Sequence, residues 1–149
     1  MNRFYVFMAW SLVALSGAAC DEKLSSITGP TPDLAPTFSA IQRTIFSATD
    51  SSSRLACTPC HTDQGRTPAS GLNLVEGRAY ASLVGRPSVG KPGATLVVPG
   101  DPDNSYLVKK LEGHADIAGL RMPRNNGPFL TEGQMLVIRR WISDGAANN

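Results

Sequence analysis

The sequence predicts an all-α domain built from about four short helices. Apolar residues recur at three- and four-residue intervals in four separate segments, and the alternation typical of half-buried strands is almost absent. The chain has 149 residues, of which 42% are hydrophobic and 17% charged, so it suits one domain and is not disordered as a whole. A formal net charge of +2 is too small to indicate nucleic acid as a partner.

Residues 1–19 predict a secretory signal peptide. Arg3 precedes an apolar run over residues 4–14, and small residues follow up to Cys20. Cys20 stands where a bacterial lipoprotein signal places its acylated cysteine, so we expect a lipid there. The alternative is ordinary cleavage at the preceding alanines, which leaves a free thiol. A lipid on Cys20 would hold an exported protein on a membrane surface, in the periplasm or cell envelope, without spanning the bilayer.

Residues 20–36 predict a stiff, extended tether ahead of the folded domain. The stretch from Ser25 to Thr37 contains Pro30, Pro32 and Pro36 and shows no apolar period. We therefore assign the folded domain to residues 37–149.

The first two helices are expected over residues 37–47 and 76–84. In the first, Phe38, Ile41 and Ile45 fall at helical spacing. In the second, Ala79, Tyr80, Leu83 and Val84 lie on one side.

The last two helices are predicted from their ends. Asp101 and Asp103 are candidate N-caps for a helix that runs to about Leu111. Thr131 and Gln134 form a capping box that opens the final helix, which the pair Asp144-Gly145 ends. An irregular loop over 113–128 separates the two.

The segment from Cys57 to His61 has the pattern C-x-x-C-H, which is the attachment signature of c-type haem. Two thiols can form thioethers with the two haem vinyl groups, and two intervening residues let one helical turn span that distance. His61 then follows as an axial ligand of the iron. We expect one covalent haem c, bound through Cys57 and Cys60, and export supports it because this haem is attached outside the cytoplasm.

Three other chemistries use similar residues. A thioredoxin-like redox pair would lie in a βαβ pattern, which is not visible in the sequence. A structural zinc site normally needs four ligands, so His114 would have to complete the set. A disulfide between Cys57 and Cys60 is the third alternative in an oxidising compartment.

Met122 is the predicted second axial ligand. It lies in a loop between Arg121 and Arg124, where iron ligation explains an apolar thioether that a surface position does not. Met135 lies on the apolar face of the last helix and is expected in the core. His114 and an open position are the alternatives. His/Met ligation would raise the reduction potential, whereas an open position would suggest gas binding or peroxide chemistry.

From about Thr37 to Ala146 the chain resembles a class I-type cytochrome c domain, in particular an exported, lipoprotein-like bacterial member. Besides C-x-x-C-H, the resemblance rests on the segments Gly71-Leu72-Asn73-Leu74, Pro99-Gly100-Asp101-Pro102-Asp103-Asn104-Ser105-Tyr106-Leu107, Arg121-Met122-Pro123 and Trp141-Ile142-Ser143-Asp144-Gly145-Ala146.

The resemblance implies two features of the fold. The first and last helices should cross, and the candidate contact residues are Ile45, Phe46, Ile138 and Trp141. Leu72 should supply the backbone carbonyl that accepts a hydrogen bond from the axial histidine, His61, which fixes its tautomer and raises its basicity.

The expected function is electron transfer by a small haem protein that is not an enzyme. Redox proteins of unknown identity would be its partners, the membrane surface would be reached through the lipid, and no nucleic acid would bind. The sequence shows no paired carboxylates at a useful spacing, so no catalytic residue is assigned. The alternatives are a haem-based redox or gas sensor and a non-catalytic haem subunit of a larger oxidoreductase.

Overall fold

The computed structural model describes residues 34–124 and 127–149. The predicted signal peptide, Cys20 and all but the last three residues of the predicted tether lie outside the described residues. The described part contains four α-helices, which we number α1 (Phe38–Ile41), α2 (Ala79–Leu83), α3 (Tyr106–Glu112) and α4 (Glu132–Ser143).

Extended structure within these ranges is limited to isolated bridges, such as that between Val84 and Val97. The predicted all-α class is therefore confirmed. None of the helices described is long and apolar enough to cross a membrane.

The first helix begins at Phe38 because two different groups satisfy its free N–H groups. Thr37 Oγ1 accepts a hydrogen bond from the Ala40 N–H at 3.2 Å. Asn149, at the other end of the chain, accepts from the Phe38 N–H at 2.9 Å and from the Ser39 N–H at 2.8 Å. α1 continues as a π-helix over Gln42–Phe46, so that together they cover the predicted first helix.

The second helix is shorter than predicted. It starts at Ala79 rather than near residue 76, because Gly77 has a φ of +79° and lies in a turn. That left-handed conformation cannot continue an α-helix.

The predicted Asp101 and Asp103 caps for the third helix are wrong. Its N-cap is Ser105, whose side chain makes no capping bond to the helix. Asp101 instead accepts the Asn104 N–H at 3.0 Å and so closes the preceding turn, while Asp103 pairs with Arg139. Asp101 caps a turn rather than the helix because its side chain bonds to a residue three positions later, before the helix begins. Asp103 is drawn away from the helix start by its ion pair with Arg139 of α4.

The capping box that opens the last helix is confirmed. Thr131 Oγ1 accepts the Gln134 N–H at 3.2 Å, and Gln134 Oε1 accepts the Thr131 N–H at 3.0 Å. α4 ends where Asp144 follows Ser143.

One apolar core joins the first and last helices of the described part of the chain. The Phe38 ring centroid lies 5.4 Å from that of Trp141 and 5.2 Å from that of Tyr80. The four residues expected where the first and last helices meet, Ile45, Phe46, Ile138 and Trp141, are all buried in this core. α1 and α4 are in contact. Cys57, at the start of the C-x-x-C-H segment, packs against the same core.

Candidate haem site

The C-x-x-C-H segment forms one helical turn. The carbonyl of Cys57 accepts the Cys60 N–H at 3.2 Å and the His61 N–H at 3.0 Å. The Cys57 N–H in turn donates to the carbonyl of Phe46 at 2.8 Å. The last residue of the π-helix therefore anchors the first residue of the motif.

The two thiols of the motif have different surroundings. Cys57 is half-buried, and its Sγ lies 3.6 Å from the carbonyl oxygen of Ile45. Burial raises the pKa of the Cys57 thiol to about 11, although the nearby charge of Arg54 acts in the opposite direction. Cys60 is exposed, and no disulfide joins the two sulfurs.

This difference predicts unequal reactivity in the haem-free chain. A thiol whose pKa rises from 9.0 to about 11 has about 100-fold less thiolate near neutral pH. We expect iodoacetamide to modify Cys57 at least about tenfold more slowly than Cys60. Mass spectrometry of peptides after timed labelling measures both rates, and equal rates would contradict the burial of Cys57.

The imidazole of His61 is half-buried, and one of its nitrogens faces a backbone carbonyl. Burial lowers the pKa of His61, while backbone groups of Leu72 and Ala69 act in the opposite direction. Nδ1 lies 3.3 Å from the Leu72 carbonyl oxygen. A proton on Nδ1 satisfies that oxygen and leaves the Nε2 lone pair for a metal, which is the arrangement that an axial histidine needs.

The loop that carries Leu72 is fastened to the motif at both ends. The Ala69 N–H donates to the carbonyl of Cys60 at 3.1 Å, and the Leu74 N–H donates to the carbonyl of His61 at 2.8 Å. Between them a 3₁₀ turn covers Ala69–Gly71. These bonds fix the distance between the Leu72 carbonyl and the imidazole.

Met122 is positioned by the end of α3. Its N–H donates to the carbonyl of Lys110 at 3.1 Å, and Arg121 Nε donates to that of Leu111 at 2.6 Å. The last carbonyls of a helix have no hydrogen-bond donor within the helix, so the loop supplies the donors. The Arg121 guanidinium lies 4.0 Å from the Phe129 ring centroid, and Met122 is half-buried against the core.

Substitution of Gly113, the residue after α3, tests whether Arg121 positions the Met122 loop. Its φ is +80°, and an added Cβ would lie 2.8 Å from Arg121 Cδ. We expect Gly113→Ala to lower the free energy of unfolding by about 2 kcal/mol, because left-handed strain adds to the collision with Arg121. The loop would shift, so a spectroscopic signal of methionine ligation should weaken. Denaturant titration with absorbance measures both effects.

Gly119→Ala is the matched control for this substitution. Gly119 has a φ of +69°, but among the described residues an added Cβ there comes within 4 Å of the Lys110 ammonium alone, at 4.0 Å. Gly119→Ala should lower the free energy of unfolding by about 1 kcal/mol and leave the spectroscopic signal of methionine ligation intact. Equal effects of the two substitutions would show that Arg121 does not position the loop.

The other candidate ligands are engaged elsewhere. His114 is exposed, and its Nε2 lies 2.9 Å from Glu112 Oε2. Met135 is buried in the core. Within residues 34–124 and 127–149, no group of three or more His, Cys, Asp and Glu side chains is arranged to hold a metal ion.

Exposed apolar side chains are close in sequence to two of the candidate site residues. Leu55 and Leu120 are each more than half exposed, and they precede Cys57 and Met122 by two residues. Val89 is 74% exposed, and its Cγ2 is 3.4 Å from the Cβ position of Gly71. The residues present fit haem c by their chemistry: two thiols and an imidazole lie on one turn, and a methionine thioether is half-buried against the core.

Arg54 is the site residue that sequence reasoning missed. It follows the polar stretch Asp50-Ser51-Ser52-Ser53, which is typical of an exposed loop, yet its side chain is 0% exposed and forms an ion pair with Asp50. The only signal in the sequence is the four-residue spacing of opposite charges ahead of the motif.

Comparison with known proteins gives no family assignment. No protein-family model, curated protein or solved structure matches the chain. Its function is therefore inferred from the residues and the geometry of the site.

Proposed function

We propose that the protein is an exported, membrane-tethered c-type cytochrome of the class I type that passes single electrons between redox partner proteins. The observation that carries the proposal is the helical turn from Cys57 to His61, with His61 Nδ1 3.3 Å from the Leu72 carbonyl oxygen. A haem c bound there would supply one-electron chemistry, because its iron is stable in both the ferric and the ferrous state.

Each residue of the site has a separate task in this proposal. Cys57 and Cys60 hold the group covalently, so that a small domain need not enclose it fully. His61 supplies Nε2 as the first axial ligand, and the Leu72 carbonyl fixes the orientation of the ring. Met122 supplies a thioether as the second ligand, which favours the reduced state and raises the reduction potential.

Electron transfer needs no group that moves a proton. We accordingly assign no catalytic acid, base or nucleophile to the chain. Cys20 and the tether are proposed to keep the domain at a membrane surface, which limits the partners to proteins that reach the same surface.

Redox titration of the full chain tests the proposal. The protein is exported from a host that attaches haem and is followed by visible absorbance at controlled potentials. We expect one reversible one-electron transition with a low-spin spectrum in both states. A high-spin reduced form that binds carbon monoxide would contradict electron transfer as the main function and favour a gas sensor.

A further inference from the structure

Arg54 is a fully buried cation next to the C-x-x-C-H segment. Its Nη1 donates to the carbonyls of Ile45 and Leu55, at 3.1 and 3.0 Å, and its Nε donates to Asp50 Oδ2 at 3.0 Å. Removing a charge from water costs several kcal/mol unless partners replace the hydration. These bonds supply partners to the guanidinium and tie the loop before the motif to the first helix.

Asp50 is the counter-charge, and it is also tied to α4. Its Oδ2 accepts a hydrogen bond from Gln134 Nε2 at 3.1 Å, and Gln134 belongs to the capping box of that helix. Burial raises the pKa of Asp50, but hydrogen bonds from Ser52, Gln134 and the Arg54 backbone, with the Arg54 charge, hold it well below its usual range. The pair is therefore ionised at neutral pH.

The Arg54 guanidinium and the Cys57 thiol both lie next to the same backbone carbonyl oxygen, that of Ile45. The Ile45 carbonyl accepts Arg54 Nη1 at 3.1 Å and lies 3.6 Å from Cys57 Sγ. The positive charge is thus adjacent to the sulfur to which the haem would be attached. Charges interact more strongly there than in water, because the interior has a lower effective dielectric constant.

We propose that Arg54 is a positioning residue that fixes Cys57 and also raises the reduction potential of the haem attached to it, while Asp50 offsets part of this effect. The inference rests on the proposed function. The oxidised iron carries one more positive charge than the reduced iron, so a buried cation nearby disfavours oxidation. A buried anion acts in the opposite sense.

Midpoint potentials of four variants of the haem-loaded full chain test the inference. We expect Arg54→Gln to lower the potential and Asp50→Asn to raise it. Arg54→Lys keeps the charge and should lie nearer to the wild type than Arg54→Gln. Arg43→Gln removes an exposed charge from the first helical segment and is the control, with no measurable shift expected.

The opposite signs separate an electrostatic role from a structural one. Loosening of the site would admit water and move both Arg54→Gln and Asp50→Asn in the same direction, so shifts of equal sign, or no shift, would overturn the inference. If Arg54→Gln does not fold, the sign of the Asp50→Asn shift decides alone. Absence of covalent haem in the wild-type chain would instead refute the proposed function.

Discussion

Replacing His61 by alanine is expected to reduce the yield of haem-loaded protein by at least about tenfold, the largest effect predicted for any single residue. The substitution removes the only imidazole that adjoins the two thiols, and it leaves the Leu72 carbonyl without its donor. A haem stain after denaturing electrophoresis, normalised to the amount of chain, measures the yield.

His114→Ala is the matched control, since it removes the other histidine of the chain. His114 is exposed and pairs with Glu112, so its loss should leave the haem yield unchanged. A normal yield from His61→Ala would contradict the assignment of His61 as the axial ligand.

Replacing Met122 by alanine should keep the covalent haem but abolish the methionine-to-iron charge-transfer band. The substitution leaves the two thiols that would hold the haem unchanged, whereas it removes the thioether of Met122, whose backbone N–H bonds to the Lys110 carbonyl of α3. The reduction potential should fall, because methionine ligation raises it. Absorbance of the oxidised protein and a redox titration measure the two effects.

Met135→Leu provides the comparison for Met122→Ala. Met135 is buried in the core, and leucine has nearly the same volume. Met135→Leu should therefore lower the free energy of unfolding by less than about 1.5 kcal/mol. The methionine-to-iron charge-transfer band should persist. If the band survives in Met122→Ala and disappears in Met135→Leu, Met135 is the ligand and the sequence-based choice was wrong.

The helices were predictable where the apolar periodicity and the capping residues agree. Their ends were less predictable where a candidate capping residue can also close a turn. Thr131 and Gln134 predicted the start of α4 because a capping box uses only neighbouring residues. Asp101 was wrong as a helix cap, since an aspartate can close a turn equally well and the sequence does not show which occurs. The cap of the first helix by Asn149 joins residues 111 positions apart and has no local signal.

The site was partly predictable for the same reason. Cys57, Cys60 and His61 lie within five residues, so the spacing alone places them on one turn. Leu72 was named only through a resemblance, and the structure has its carbonyl 3.3 Å from His61 Nδ1. The burial of Arg54 depends on the carbonyl of Ile45, nine residues earlier in the chain, and could not be inferred from the polar residues next to Arg54.

Covalent attachment of haem is the central claim, and one measurement tests it most directly. The full chain, exported from a host with haem-attachment machinery, is denatured, separated by electrophoresis and stained for haem beside the double variant Cys57→Ser/Cys60→Ser. Haem that migrates with the wild-type chain and is absent from the double variant is the predicted result. A wild-type chain that carries no haem after denaturation would contradict the account and return Cys57 and Cys60 to a disulfide or a zinc site.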